Sequence, residues 1–124
     1  MGCVPNFPPI SPEKDEAAFT EAAGNYRAAA VKPTLPEDAR KFKVQAEFAF
    51  GKKEFEGAAA RYKEALDAVP WWPEGRFNRA LILGELSRYS DAIKEMKRYL
   101  TLVPDATNAR AAQDKIYQWE GELK

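Results

Sequence analysis

A 34-residue period is the feature of this sequence that most restricts its fold. Pro70 and Pro104 are 34 residues apart. The same separation relates residues of matching size or type: Phe55 and Tyr89, Ala58 and Ala92, Leu66 and Leu100, and Ala46 and Ala80. Pro36 lies 34 residues before Pro70, although its neighbours match poorly. A period of this length is typical of stacked repeats, each of which buries its apolar face only against its neighbours.

Inside each period the apolar residues recur at intervals of three and four, which predicts amphipathic helices. Two antiparallel pairs follow, with helices over residues 39–51, 55–69, 73–86 and 89–103. Pro70 and Pro104 end the second helix of each pair. Pro73 begins the next helix in its first turn, where the missing N–H has no cost.

Further helices are predicted on both sides of the pairs. Ser11 and Pro12 form an N-cap and first-turn signature for a helix that continues to about residue 30. Residues 34–37 form a capping-box signature ahead of the first pair, and Asp105 is an N-cap candidate for a final helix.

The predicted architecture is all-α, with about six helices and no strand. Residues 1–10, which contain three prolines, are predicted to be a flexible lead-in. The rest divides into a flanking helix (11–33), two repeats (34–106) and a capping helix (107–124). We expect the flanking helix to close the end of the stack beside the first repeat, or to continue an array in a larger protein.

The residues at these spacings resemble those of the tetratricopeptide repeat (TPR) family. The resemblance depends on the 34-residue period, on the segments 55–58 and 89–92 that begin each second helix, on 77–80, and on the closing prolines. It implies a right-handed α-solenoid. Phe42 stands where the family favours Trp, and Lys53 and Ser87 replace the usual turn glycine, so we expect altered turn geometry.

Composition excludes several classes of function. Lys plus Arg and Asp plus Glu number 19 each, so there is no basic excess for binding nucleic acid. Histidine is absent, which removes imidazole catalysis and His-ligated metal sites. Neither a Gly-rich phosphate loop nor an isolated carboxylate pair is present, so we expect no enzymatic activity and no cofactor.

Cys3 is the single cysteine and permits neither an intramolecular disulfide nor a thiolate metal site. Residues 1–3 match the start of a lipidation motif, but Asn6 stands where that motif has Ser or Thr, which leaves modification of Cys3 open. Apolar runs fall far short of the ~20 residues that span a bilayer, so no membrane insertion is expected. The compartment stays open between cytoplasm and periplasm.

The resemblance implies a partner-binding groove on the concave face, lined by the first helix of each repeat. Position by position, that groove presents Arg40, Lys43, Glu47, Phe50, Glu74, Phe77, Asn78, Leu81, Glu85, Asn108, Ala111 and Lys115. We expect a peptide with one or two hydrophobic anchors and some acidic character. The family subtype that grips chaperone carboxylates is disfavoured, because only Lys43 and Asn78 match its clamp and Glu47 would repel a carboxylate.

Several of these residues have an architectural alternative. Asn78 could bond a neighbouring helix, and the rings of Phe50 and Phe77 could belong to the core. Trp71 and Trp72 are candidate exposed aromatics for a partner, or they seal the packing of the next helix.

The other charged side chains look like solvated helix faces, as for Asp91 and Glu95 with the lysines beside them. The leading hypothesis is a protein-binding adaptor or scaffold module. The alternative is a structural module that self-associates as a homo-oligomer within a larger assembly, such as a bacterial envelope complex.

Overall fold

The structure is a computed structural model that describes residues 12–124, with side chains from residue 15 onward. This part of the chain is all-helical, as predicted, and contains no strand. The six helices are α1 (Pro12–Ala28), α2 (Glu37–Gly51), α3 (Phe55–Ala68), α4 (Pro73–Glu85), α5 (Tyr89–Leu102) and α6 (Ala109–Glu122). The predicted lead-in, Cys3 and the Ser11 cap lie outside the described residues.

From α2 to α6, each helix packs against the next one along the chain. The small residues of the period lie at the centre of this packing. Ala46, Ala58, Ala80 and Ala92 are all fully buried at 0% exposure. Because a methyl group is the whole side chain, the backbones of α2 and α3, and of α4 and α5, can approach closely. The packing is that of a helical repeat.

Both helical pairs are joined by the same left-handed turn. Lys53 has a φ of 61° and Ser87 a φ of 60°, and no other non-glycine residue of the described chain has a positive φ. In the first turn Glu54 N–H donates to Ala49 O at 2.9 Å and Lys53 N–H donates to Phe50 O at 2.8 Å. This bonding pattern is the Schellman motif, which usually has glycine at the left-handed residue. The turns therefore keep the glycine geometry with a strained side-chain-bearing residue.

The helix α1 lies elsewhere than the sequence led us to expect. It packs mainly against α5, where Phe19 and Ala23 form a small apolar cluster with Leu102. Arg27 Nη1 donates to the carbonyl oxygen of Thr101 at 2.8 Å. The expectation that this helix closes the stack beside the first repeat is wrong, because its apolar face matches α5 of the second pair.

Two predicted caps are not formed. The helix α2 begins at Glu37 with Pro36 at the N-cap and no side-chain cap bond, so the capping box over 34–37 is absent. Glu37 and Asp38 in its first turn stabilise the positive end of the helix dipole instead. The helix α6 begins at Ala109, too late for Asp105 to cap it.

Candidate functional site

Two depressions flank α4, one beside α2 and one beside the α5–α6 connection. The first has a volume of about 230 Å³ and is lined by Glu47, Phe50, Tyr62, Asn78, Leu81 and Ile82. Four of these residues belong to the groove inferred from the sequence. Glu47 and Phe50 come from the last two turns of α2, and Asn78 and Leu81 from the middle of α4.

The rim of the first depression is apolar on the α2 side. The side chain of Phe50 is 50% exposed, and its ring lies 5.6 Å from the ring of Phe55. Leu81 is partly buried on the opposite wall. A ligand that covered Phe50 and Leu81 would remove apolar surface from water, which is the main source of affinity in protein interfaces.

The floor of the first depression is Tyr62 of α3, which is 3% exposed. Asn78 Nδ2 donates to the Tyr62 hydroxyl oxygen at 3.2 Å. Burial raises the pKa of Tyr62, the hydrogen bond from Asn78 lowers it, and the negative charges of Glu47 and Glu74 raise it further. Asn78 therefore bonds a neighbouring helix, as its architectural alternative requires, while it also lines the depression.

The second depression is larger, at about 450 Å³, and three aromatic rings line it. Its lining is Tyr26, Pro73, Glu74, Phe77, Tyr99, Val103, Asp105, Ala106 and Asn108. The ring of Phe77 lies 5.0 Å from that of Tyr99, whose hydroxyl donates to Asn108 Oδ1 at 2.6 Å. This bond occupies the side chain of Asn108, which makes no cap bond to α6.

Tyr26 is a wall residue that the sequence analysis missed. It comes from α1, and its ring stacks on that of Trp71 at 5.9 Å with an interplanar angle of 9°. The docking of α1 on α5 is what brings Tyr26 to the second depression. A sequence period cannot report such a contact, because α1 has no counterpart in the repeats.

The predicted charged residues of the groove are divided between the depressions and the surface outside them. Lys43 Nζ lies 3.9 Å from both Glu47 Oε2 and Glu74 Oε2, and so links α2 to α4. Arg40 instead pairs with Glu37 of its own helix at 3.1 Å. Lys115 is exposed on α6 and lines neither depression. Two other predicted groove residues, Glu85 of α4 and Ala111 of α6, are likewise exposed outside both depressions.

The adjacent tryptophans both serve packing. Trp72 is 6% exposed, and its ring lies 5.9 Å from that of Tyr62. A Cβ atom on Gly75 would collide with the Trp72 ring, so glycine is required there. Trp71 is partly buried beneath Tyr26. Trp72 is thus not available as an exposed anchor. Both tryptophan rings instead pack against neighbouring helices, which was the alternative to partner binding.

A buried ionic network lies where α4 meets α5. Glu95 is 4% exposed and accepts hydrogen bonds from Arg76 Nη1 at 2.7 Å and from Arg79 Nη1 at 2.8 Å. The prediction that Glu95 belongs to a solvated face is therefore wrong. Its partners are 16 and 19 residues away on another helix, so no local charge spacing could have revealed them.

The same network fixes α1 to the second pair. The Arg76 and Arg98 guanidinium carbons lie 5.0 Å and 5.1 Å from the ring centre of Phe19. Arg98 Nη2 donates to Asp15 Oδ2 and to Glu16 Oε1, both at 2.8 Å. The hydrogen bond from Arg98 is the largest influence on Asp15 and lowers the pKa of its carboxyl group.

Across the described side chains, no group of three or more His, Cys, Asp or Glu residues is placed to hold a metal ion. None of the helices found over residues 12–124 has both the length and the apolar character needed to cross a bilayer. Comparison of the sequence with models of protein families finds no matching family, and comparison with curated proteins finds no significant relative.

Proposed function

We propose that this chain is a protein-binding adaptor module of the tetratricopeptide repeat type, which holds a peptide or helix of a partner in the groove along α4. The observation that carries the proposal is the meeting of Glu47 and Phe50 with Asn78 and Leu81 around one depression. These four residues belong to two helices in successive 34-residue periods, and the resemblance to the tetratricopeptide repeat family assigned each of them to the groove.

The chemistry of the groove supports recognition rather than catalysis. The half-exposed Phe50 and the partly buried Phe77 and Leu81 lie beside carboxylates and amides, so the surface offers a peptide both apolar contact and hydrogen-bond partners. The hydroxyl groups of Tyr62 and Tyr99 are each engaged by an asparagine side chain. They orient the walls of the groove, and we expect no reaction there.

A pair of substitutions on one helix tests this proposal. Peptides that bind the module are first selected by display, without regard to their charge. Phe50→Ala should then weaken their binding about tenfold or more, because Phe50 lines the depression and is half exposed. Phe48→Ala is the matched control, since Phe48 is 70% exposed on α2 but lines neither depression. Equal affinity of the two variants would contradict groove binding.

Self-association is the second candidate function, and the outer face of α2 favours it. Val44 and Phe48 are four residues apart on this helix and are 46% and 70% exposed. Since α1 packs mainly on α5, it leaves this face uncovered. Sedimentation of the unaltered chain and of Phe48→Ala would separate the candidates, because only self-association through this face predicts a mass that the substitution lowers.

A further inference from the structure

The two depressions differ in chemistry. Beside the polar groups of Glu47 and Asn78, the first is walled by Phe50, Leu81 and Ile82, which suits an aliphatic or aromatic anchor. The second contains three aromatic rings, those of Tyr26, Phe77 and Tyr99, together with two carboxylates. The two depressions therefore favour different side chains of one ligand.

Negative charge dominates the lining of the groove. Glu74 and Asp105 line the second depression, and Glu47 lines the first. Lys43 is the cation between them, and it already lies 3.9 Å from Glu47 and from Glu74. Three carboxylates and the ammonium groups of Lys43 and of Lys32, which lies over the Tyr26 ring, leave a local excess of one negative charge, although the whole chain has equal numbers of acidic and basic residues.

Of three neighbouring cations, Lys32 reaches a lining residue, while Arg40 and Lys115 do not. Lys32 Nζ donates to the Tyr26 carbonyl oxygen at 2.7 Å, and sits over the Tyr26 ring at 4.7 Å. Arg40 pairs with Glu37. Lys115 lies on α6 beyond the lining of both depressions. Lys32 therefore covers one face of the Tyr26 ring, whereas Arg40 and Lys115 contribute no positive charge to the lining.

Carboxylates beside aromatic rings form a favourable site for a guanidinium or ammonium group. Glu74 and Asp105 supply Coulomb attraction and charge-assisted acceptors. The rings of Phe77 and Tyr99 supply cation–π attraction, which is strongest for a group that is partly removed from water, while the Tyr26 ring already stacks on Trp71 and lies under Lys32. A carboxylate ligand would meet repulsion from the same two side chains.

From this arrangement we infer that the groove takes a basic peptide segment, with an arginine or lysine side chain in the second depression and an apolar side chain in the first. The inference rests on the proposed adaptor function and names the chemistry of its ligand. It reverses the sign of charge expected from the sequence, because the acidic residues line the depressions while Arg40 and Lys115 do not.

The geometry also limits the separation of the two anchors. The depressions lie on either side of α4, so their centres should be about one interhelical spacing apart, ~8–10 Å. An extended chain advances ~3.3 Å per residue, so about three residues span that distance. Because side chains of an extended chain alternate between its two faces, the basic and apolar residues of the ligand should be about two or four positions apart.

The test uses fluorescent synthetic peptides with a leucine and an arginine separated by about two to four positions, the range set by the extended rise per residue. In matched peptides the arginine is replaced by citrulline, which keeps the shape without the charge, or by glutamate. Binding is followed by anisotropy with the full chain. The arginine peptide should bind about tenfold more tightly than the citrulline peptide, and the difference should shrink between about 50 and 300 mM salt.

A substitution on α4 tests the position of the cation. Glu74→Gln should lower the affinity for the arginine peptide about fivefold and leave the affinity for the citrulline peptide nearly unchanged. Glu85→Gln is the control, because Glu85 is exposed on the same helix outside both depressions. Equal affinity for arginine and citrulline peptides, or no binding across the series, would overturn the inference. The displayed peptides tested with Phe50→Ala report separately on the adaptor function.

Discussion

Replacement of Glu95 by alanine should destabilise the fold more than any surface substitution. The carboxylate of Glu95 accepts one hydrogen bond from Arg76 and one from Arg79, and the side chains of Arg76 and Glu95 are each 6% exposed. Without the carboxylate, two guanidinium groups face each other with no counter-charge between them. Arg76 keeps only its hydrogen bonds to the Pro70 carbonyl oxygen, at 3.2 and 3.1 Å.

The size of the effect follows from burial. Removal of one partner from a buried ion pair costs about 3–5 kcal/mol, because the remaining charge loses both its partner and access to water. A domain of this size has a total stability of about 5–15 kcal/mol. Glu95→Ala should therefore remove about a fifth or more of it and lower Tm by ~10–20 °C. Glu95→Gln keeps the shape of the side chain, so its free energy of unfolding should lie between those of the unaltered protein and Glu95→Ala.

Urea and thermal unfolding, followed by circular dichroism, measure this difference. The control is Glu64→Ala, which breaks the ion pair with Arg61 between side chains that are 43% and 46% exposed. An exposed pair contributes less than about 1 kcal/mol. If Glu95→Ala and Glu64→Ala unfold at the same urea midpoint, Glu95 is not buried in a paired network and the reasoning fails.

Three other substitutions test separate parts of the fold. Ala92→Leu should destabilise by about 1–3 kcal/mol, since Ala92 is 0% exposed where α4 meets α5, and an unchanged urea midpoint would refute that register. Lys53→Gly should stabilise by ~0.5–1 kcal/mol, because it relieves the left-handed strain at φ 61° at some entropic cost, so a lower midpoint would contradict the strain. Because the folded pKa of Asp15 is lowered from 3.8, its pairing with Arg98 is present above that value and is lost as pH falls through the folded pKa. In Asp15→Asn the free energy of unfolding should therefore fall less at acidic pH than in the unaltered protein. The same pH dependence in the two proteins would show that Asp15 and Arg98 do not form this ion pair.

The sequence could predict the helical pairs closely because their signal is repeated. The predicted spans 55–69 and 89–103 end one residue beyond the observed α3 and α5. The family resemblance that this period supports assigned Phe50 and Leu81 to one groove, and these residues line the first depression together. Helix faces of this kind are determined by residues three and four apart, and the chain provides that pattern twice.

The docking of α1 and the buried network could not be predicted in this way. Arg98 reaches Asp15 across 83 positions, and no local period relates them. Glu95 lies among charged residues on α5, so its burial is visible only once Arg76 and Arg79 of another helix surround it. Ionic burial gives no apolar pattern, and it is therefore easily read as surface.

The position of α1 also links the stability of one helix to the shape of the binding surface. The contact between Asp15 and Arg98 closes a chain loop of more than 80 residues, while α1 packs on only part of α5. Because α1 makes few contacts with the rest of the described chain, mainly with α5, it is the helix that should open first and exchange its amide hydrogens fastest. Opening withdraws Tyr26 and removes one aromatic wall of the second depression. A ligand seated against that wall would therefore hold α1 in place, and slower amide exchange in residues 12–28 would report binding at a distance from most of the groove.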